Sequence, residues 1–241
     1  MKTRLSQVLF LLVLFSASGL LQAIGSGNPT LEARVWEAKK VISEVMATPD
    51  QSIPEELLAK CKAIAIYPSV LKGGFIFGAR YGRGVVLKRD EKTGLWGPVA
   101  FSTIGGGSWG LQIGGQATDL ILVVLNERGL NGLLSNNFTL GAGASIAVGP
   151  VGRHSEASTD LSLAAGIISY SRSRGLFAGM ALDGAVLTQD NNSNSEYYAK
   201  PVTSRDILLG SAVEIAPSSK ELVDALNEFS SRWVKRSESK S

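Results

Sequence analysis

Between Ile64 and Val186, glycine recurs every few residues inside apolar and aromatic runs. Examples are Gly73-Gly74-Phe75-Ile76-Phe77-Gly78, Gly105-Gly106-Gly107-Ser108-Trp109-Gly110, Gly149-Pro150-Val151-Gly152 and Gly175-Leu176-Phe177-Ala178-Gly179. Glycine weakens helices, and within strands it marks bends, bulges and close backbone approaches. That punctuation confines the span to compact, sharply bent β structure.

The flanks read differently. Leu31, Val35, Ala38, Ile42 and Val45 recur at spacings of four and three after a helix start at Asn28-Pro29, which predicts an amphipathic helix ending near Thr48-Pro49. Ser52-Ile53-Pro54-Glu55 has the capping-box pattern for a short second helix through Lys60, and Ser218-Ser219-Lys220-Glu221 has it for a last helix with Leu222, Leu226, Phe229 and Trp233 on one face. Between them, turn signals divide β-branched and aromatic runs into strands over 63–67, 74–81, 84–89, 99–104, 108–114 and 119–125, then 138–148, 159–169, 175–182 and 184–188. Residues 130–134 read as a short helix, 191–195 as a polar loop and 204–209 as a helical turn. The predicted class is α+β: a glycine-rich antiparallel β body, as a bent sheet, sandwich or barrel, flanked by N-terminal and C-terminal helices. A lipid-facing outer-membrane barrel is disfavoured by the terminal helix and by the polar end from Arg236 to Ser241.

Basic Met1-Lys2-Thr3-Arg4, the mostly apolar run Val8–Leu21 and small residues at Ala23, Gly25 and Ser26 read as a secretory signal peptide over 1–25, leaving one domain over 26–241. This predicts a secreted or periplasmic protein, peripherally associated with a membrane. Loss of Lys2 and Arg4 takes the charge from 24 − 21 = +3 to 22 − 21 = +1, so nothing in the balance calls for a nucleic-acid partner. The single cysteine, Cys61, excludes an internal disulfide and sits among apolar residues, as a buried structural thiol would.

Chemical motifs are few. Gly106-Gly107-Ser108-Trp109-Gly110 matches G-x-S-x-G, and Gly105 to Gly110 matches G-x-G-x-x-G, yet both chemistries need a helix directly afterwards and the following residues are strand-like. A serine triad would have to recruit His154, the only histidine, and Asp160 or Asp183. Asp119, Asp160, Asp183 and Asp190 show no spacing that selects an acid–base pair, and one histidine with one cysteine makes no zinc site without carboxylates. No catalytic residue, metal or cofactor is expected. Cations beside aromatics are the remaining signal: Arg80, Tyr81 and Arg83, and Arg172 and Arg174 beside Tyr170, suit phospholipid head groups with rings at the interface.

The ordered series Ala63-Ile64-Ala65-Ile66-Tyr67-Pro68, Gly74 to Gly84, Leu95-Trp96-Gly97-Pro98, Gly110-Leu111-Gln112-Ile113-Gly114, Gly149 to Arg153, Tyr170 to Gly179 and Tyr197-Tyr198 resembles the SYLF (Ysc84-like) domain family, from about Leu31 to Leu226. The resemblance implies a non-catalytic phospholipid- or phosphoinositide-binding module, with actin binding in some eukaryotic members and secreted or envelope roles in bacterial ones. It also implies membrane contact through the helix ahead of the β body, here Leu31–Met46 with Trp36, Lys39 and Lys40. That helix carries Glu32, Glu37 and Glu44 as well as Arg34, Lys39 and Lys40, so it has no cationic surplus. The expected partner is a phospholipid membrane surface; the alternative is a structural factor of the envelope gripping a protein partner.

Overall fold

Alternation along Ala63-Ile64-Ala65-Ile66-Tyr67 divides one strand between two cores, and that division organises the molecule. Ile64 and Ile66 enter a cluster with the long helices, whereas Ala63, Ala65 and Tyr67 enter a second cluster on the opposite face. The computed structural model describes residues 30–48, 52–74, 77–109, 116–142, 144–149, 165–173, 176–177 and 182–238. All of these but Thr30 lie in one compact unit, Leu31–Ser241.

The strands are β1 (Ala63–Gly74), β2 (Phe77–Arg89), β3 (Trp96–Trp109), β4 (Gln116–Val124), β5 (Asn137–Thr139), β6 (Ile146–Val148), β7 (Ile167–Ser173), β8 (Leu176–Phe177) and β9 (Val186–Gln189). They form one curled sheet in the order β5-β9-β3-β2-β1-β4-β7-β6, with β8 paired to β7. The helices are α1 (Leu31–Met46), α2 (Glu55–Lys60), α3 (Glu127–Leu133), α4 (Asn191–Tyr197), α5 (Ser204–Leu209) and α6 (Lys220–Glu238). Leucines and isoleucines of α1, α2 and α6 bury against one sheet face; Leu130, Leu133, Ile207 and Leu208 of α3 and α5 bury against the other. At about 1.5–3 kcal/mol for each large aliphatic side chain removed from water, these two clusters supply the main drive for folding.

The expected α+β class and flanking helices stand, with corrections in detail. β6 and β7 run parallel, the one departure from antiparallel pairing among the described residues. β2 runs unbroken through Gly82 and Gly84, and β3 through Gly105-Gly106-Gly107, where the sequence predicts interruptions. At Gly84 a Cβ would lie 2.3 Å from the Ile66 carbonyl oxygen and 2.5 Å from the Tyr67 ring, so this glycine admits a close approach rather than ending a strand. Residues 191–195, predicted as a loop, lie in α4, because the Asp190 side chain caps it by accepting from the Ser193 amide at 3.1 Å. The helix at Glu55 starts from Pro54 without a side-chain cap, and a capping box is instead made by Thr203 and Asp206 at α5. Residues 138–148 give two short strands instead of one; of the strand predicted over 159–169, residues 159–164 lie outside the described residues, and its end forms part of β7, which continues to Ser173. The signal segment, Asn28-Pro29 and residues 110–115 lie outside the described residues.

β1 is central, yet it contains Pro68, which cannot donate to a ladder. The register shifts there against both neighbours, between Ile66 and Leu71 on the β2 side and between Tyr67 and Val70 on the β4 side. Ser69 takes φ 53° in this bulge, and its amide donates to Asp119 Oδ1 at 3.0 Å. Facing parity reverses across it: Val70 joins the α3–α5 core, so Leu71 points to the face that carries α1.

Candidate functional site

Helix α1 lies across β1 and β2 with Val35, Ala38, Val41, Ile42 and Val45 buried. An ion pair holds it near each end. Arg34, near its start, reaches Asp190 at 3.2 Å and stacks 5.3 Å from the Phe101 ring centroid. Glu44, near its finish, accepts from the Arg172 guanidinium, which also reaches Asp119 at 3.3 Å. Burial raises the Asp190 carboxyl, but hydrogen bonds from Ser193 and Arg34 outweigh it and hold the group below the ordinary carboxylate value. For Arg172, burial lowers the guanidinium and is outweighed by Glu44 and Asp119, with a net rise.

The outer side of α1 carries Trp36, 54% exposed, with Lys40 Nζ 5.6 Å from the indole centroid. Lys39 is turned to α6, 3.5 Å from Glu221. So the three helix residues named from the sequence share one surface, but only Trp36 and Lys40 face outward together.

A second surface lies at the far end of the sheet. β2 pairs evenly with β3 from Phe77 to Leu87, so Tyr81 and Arg83 share the face of Val85 and Leu87, the face that carries α1. Tyr81 stands opposite Leu71 across the β1–β2 ladder. Both are open, Leu71 at 55% and Tyr81 at 49%. Arg83 stacks 5.8 Å from the Tyr81 centroid, and its Nε donates to the phenol oxygen at 3.0 Å. Arg80 points to the opposite face and is only 7% exposed, with burial lowering its guanidinium below the ordinary value. Arg172 belongs to the α1 face, where its contacts give it the task of holding the helix; Arg174 lies outside the described residues. The structure therefore brings Tyr81 and Arg83 together, sets Arg80 and Arg172 apart from them, and adds Leu71. Leu71 was missed because the strand predicted over 63–67 stops short of it.

The other chemical candidates find structural roles. Ser108 lies within strand β3, and the next described element is strand β4, so no helix follows among the described residues. Asp119 and Asp190 are taken up by the ion pairs above, Asp183 lies in an exposed turn, and His154 and Asp160 are outside the described residues. Cys61 is buried with its thiol pushed up to about 12, mainly by desolvation. No group of three or more potential metal ligands occurs among the described residues.

Residues 105–229, from the distal half of β3 into α6, match the family model described as Ysc84, Las17-binding protein actin regulator. The chain belongs to the Ysc84 family. It is 33% identical over 209 residues to the SH3 domain-containing YSC84-like protein 1 of Rattus norvegicus, covering 84% of this chain and 61% of that protein. It is 32% identical to Protein YSC84 of Saccharomyces cerevisiae (84% of this chain, 45% of that one) and 31% to the yeast LAS seventeen-binding protein 3 (78% and 43%). The chain thus spans less than two thirds of the length of these relatives. Within the Ysc84 match lie Arg172 and Asp190; Trp36, Lys39, Lys40, Arg80, Tyr81 and Arg83 precede it. The family's description is that of a binding regulator, a role that requires no catalytic centre.

Proposed function

We propose that this Ysc84-family chain is a non-catalytic module that binds a phospholipid surface. The observation that carries the proposal is the pairing of exposed aromatics with cations on the side of the sheet that carries α1: Lys40 over Trp36, and Arg83 over Tyr81 beside Leu71. Amphipathic rings suit the head-group layer, and each basic residue near an anionic membrane contributes about 1 kcal/mol. No helix among the described residues is long and apolar enough to cross a membrane, so contact through those helices would be peripheral. The absence of catalysis is supported by the extended setting of Ser108 and by the engagement of Asp119 and Asp190 in ion pairs.

Flotation with vesicles of phosphatidylcholine, alone and mixed with phosphatidylserine, tests the proposal. Binding to the mixed vesicles that weakens as salt is raised is the expected result; no flotation with either would remove it. A second reading, a protein-interaction module, is favoured by the family description as Las17-binding. Crosslinking that yields a stoichiometric protein partner, with no flotation, would replace the first with the second. The secreted or periplasmic location rests on residues 1–25, and a mature protein beginning near Ser26 on mass analysis is its expected sign.

A further inference from the structure

We infer that the membrane contact is made by the distal end of the β1–β2 hairpin, through Leu71, Tyr81 and Arg83, while α1 remains fastened to the sheet. The inference rests on the lipid-binding proposal above and names the surface that serves it. Three observations carry it.

First, the apolar stripe of α1 is not available. Val35, Ala38, Val41, Ile42 and Val45 are buried against β1 and β2, and lifting the helix would strip them of cover while breaking Arg34–Asp190 and Arg172–Glu44 together. Second, Leu71 and Tyr81 form an exposed aliphatic–aromatic pair directly opposite each other in the ladder, and the Arg83 guanidinium lies along the ring. An apolar pair with a cation at its side has the polarity order of a membrane interface, with rings inward and charge at the head groups. Third, the electrostatics select an anionic surface. β1, β2 and β3 contain no Asp or Glu; on this face their distal halves carry Arg83, while Lys72, opposite Arg80 in the ladder, adds positive charge on the other side of the same hairpin end. β4 contributes only Asp119, which is engaged by Arg172 and by the Ser69 amide. The bulge at Pro68-Ser69 makes this surface, since the parity reversal is what turns Leu71 towards Tyr81.

Four proteins compared by flotation on phosphatidylcholine vesicles with and without phosphatidylserine test the inference: wild type, Leu71→Glu/Tyr81→Glu, Arg83→Gln and Glu44→Gln/Asp190→Asn. The double glutamate variant is expected to lose at least about tenfold in binding to the anionic vesicles, since two inserted side chains are replaced by charges of the repelled sign. Arg83→Gln, which removes the charge and carries the test by itself should the double variant melt early, is expected to lose about fivefold. Glu44→Gln/Asp190→Asn loosens both fastenings of α1 and is expected to bind as wild type does. A double glutamate variant that floats like wild type, or a loosened α1 that floats more strongly, overturns the inference and leaves lipid binding standing with α1 as its agent. Wild type that floats on neither vesicle overturns both proposals.

Discussion

Helix α1 and the far end of the β1–β2 hairpin each display an aromatic ring with a cation over it, and in geometry the two are nearly equivalent: 5.6 Å for Lys40 to Trp36 and 5.8 Å for Arg83 to Tyr81. Their surroundings differ. On α1 three glutamates offset three cations, Lys39 and Arg34 are already paired, and the apolar stripe is consumed by the core. On the hairpin no acidic residue lies in β1 or β2, and the apolar partner of the ring, Leu71, is itself open. A ring with a cation over it is therefore not a binding site by itself; net local charge and uncommitted apolar area decide whether it can be one.

The contrast can be broken in several places. The largest effect is expected at Gly84, where β2 passes beneath Tyr67: Gly84→Ala forces a Cβ into the Ile66 carbonyl and the ring, and should cost about 3 kcal/mol in a denaturant melt. Failure to destabilise would mean that β1 and β2 have room to part at this crossing. Next, Arg172→Ala leaves Glu44 and Asp119 without their shared cation and should cost about 2 kcal/mol, whereas Arg83→Ala at the hairpin end should stay within about 0.5 kcal/mol. Equal losses would erase the distinction between a fastening arginine and a contacting one. Trp36→Ala should change vesicle binding by less than about twofold, against the tenfold expected at the hairpin; the reverse ranking would return the contact to the helix.

The smallest effect concerns pH. The Asp190 carboxyl is lower in the folded chain than its unfolded value near 3.9, so its contribution is fully present above about pH 4 and is lost as pH falls through the folded value. Asp190→Asn should therefore lower stability in the neutral region, where the contribution is present, leave the most acidic region nearly unchanged, and so flatten the acid limb of a stability–pH curve. An unaltered acid limb would show that the Arg34 end of α1 does not depend on this charge.

Periodicity made α1 and α6 legible, since a stripe of Leu31, Val35, Ala38, Ile42 and Val45 has one folded use. The β body was legible as a class, but its strands were cut too short, because Gly82, Gly84 and Gly105 to Gly107 look like terminators. In the molecule Gly82 and Gly84 are spaces for Val70, Ile104 and Tyr67 in neighbouring strands, and that requirement comes from residues distant in sequence. The same limit applies to the surface residues. Tyr81 and Arg83 could be found because they lie two residues apart in sequence as a cation beside an aromatic, whereas Leu71 becomes their neighbour only through the ladder. Arg172 gave no local sign that Glu44, 128 residues away, would accept from it.

The bulge at Pro68-Ser69 has a bearing on how this strand can change over time. Two partners read β1 in two frames, one before Pro68 and one after it, so a loss or gain of a single residue between Tyr67 and Val70 would leave the first half in phase while inverting the second. Val70 would then leave the core and Leu71 would enter it. Point substitutions can tune the outer half of the hairpin one side chain at a time, but a one-residue length change exchanges its inner and outer faces in a single step.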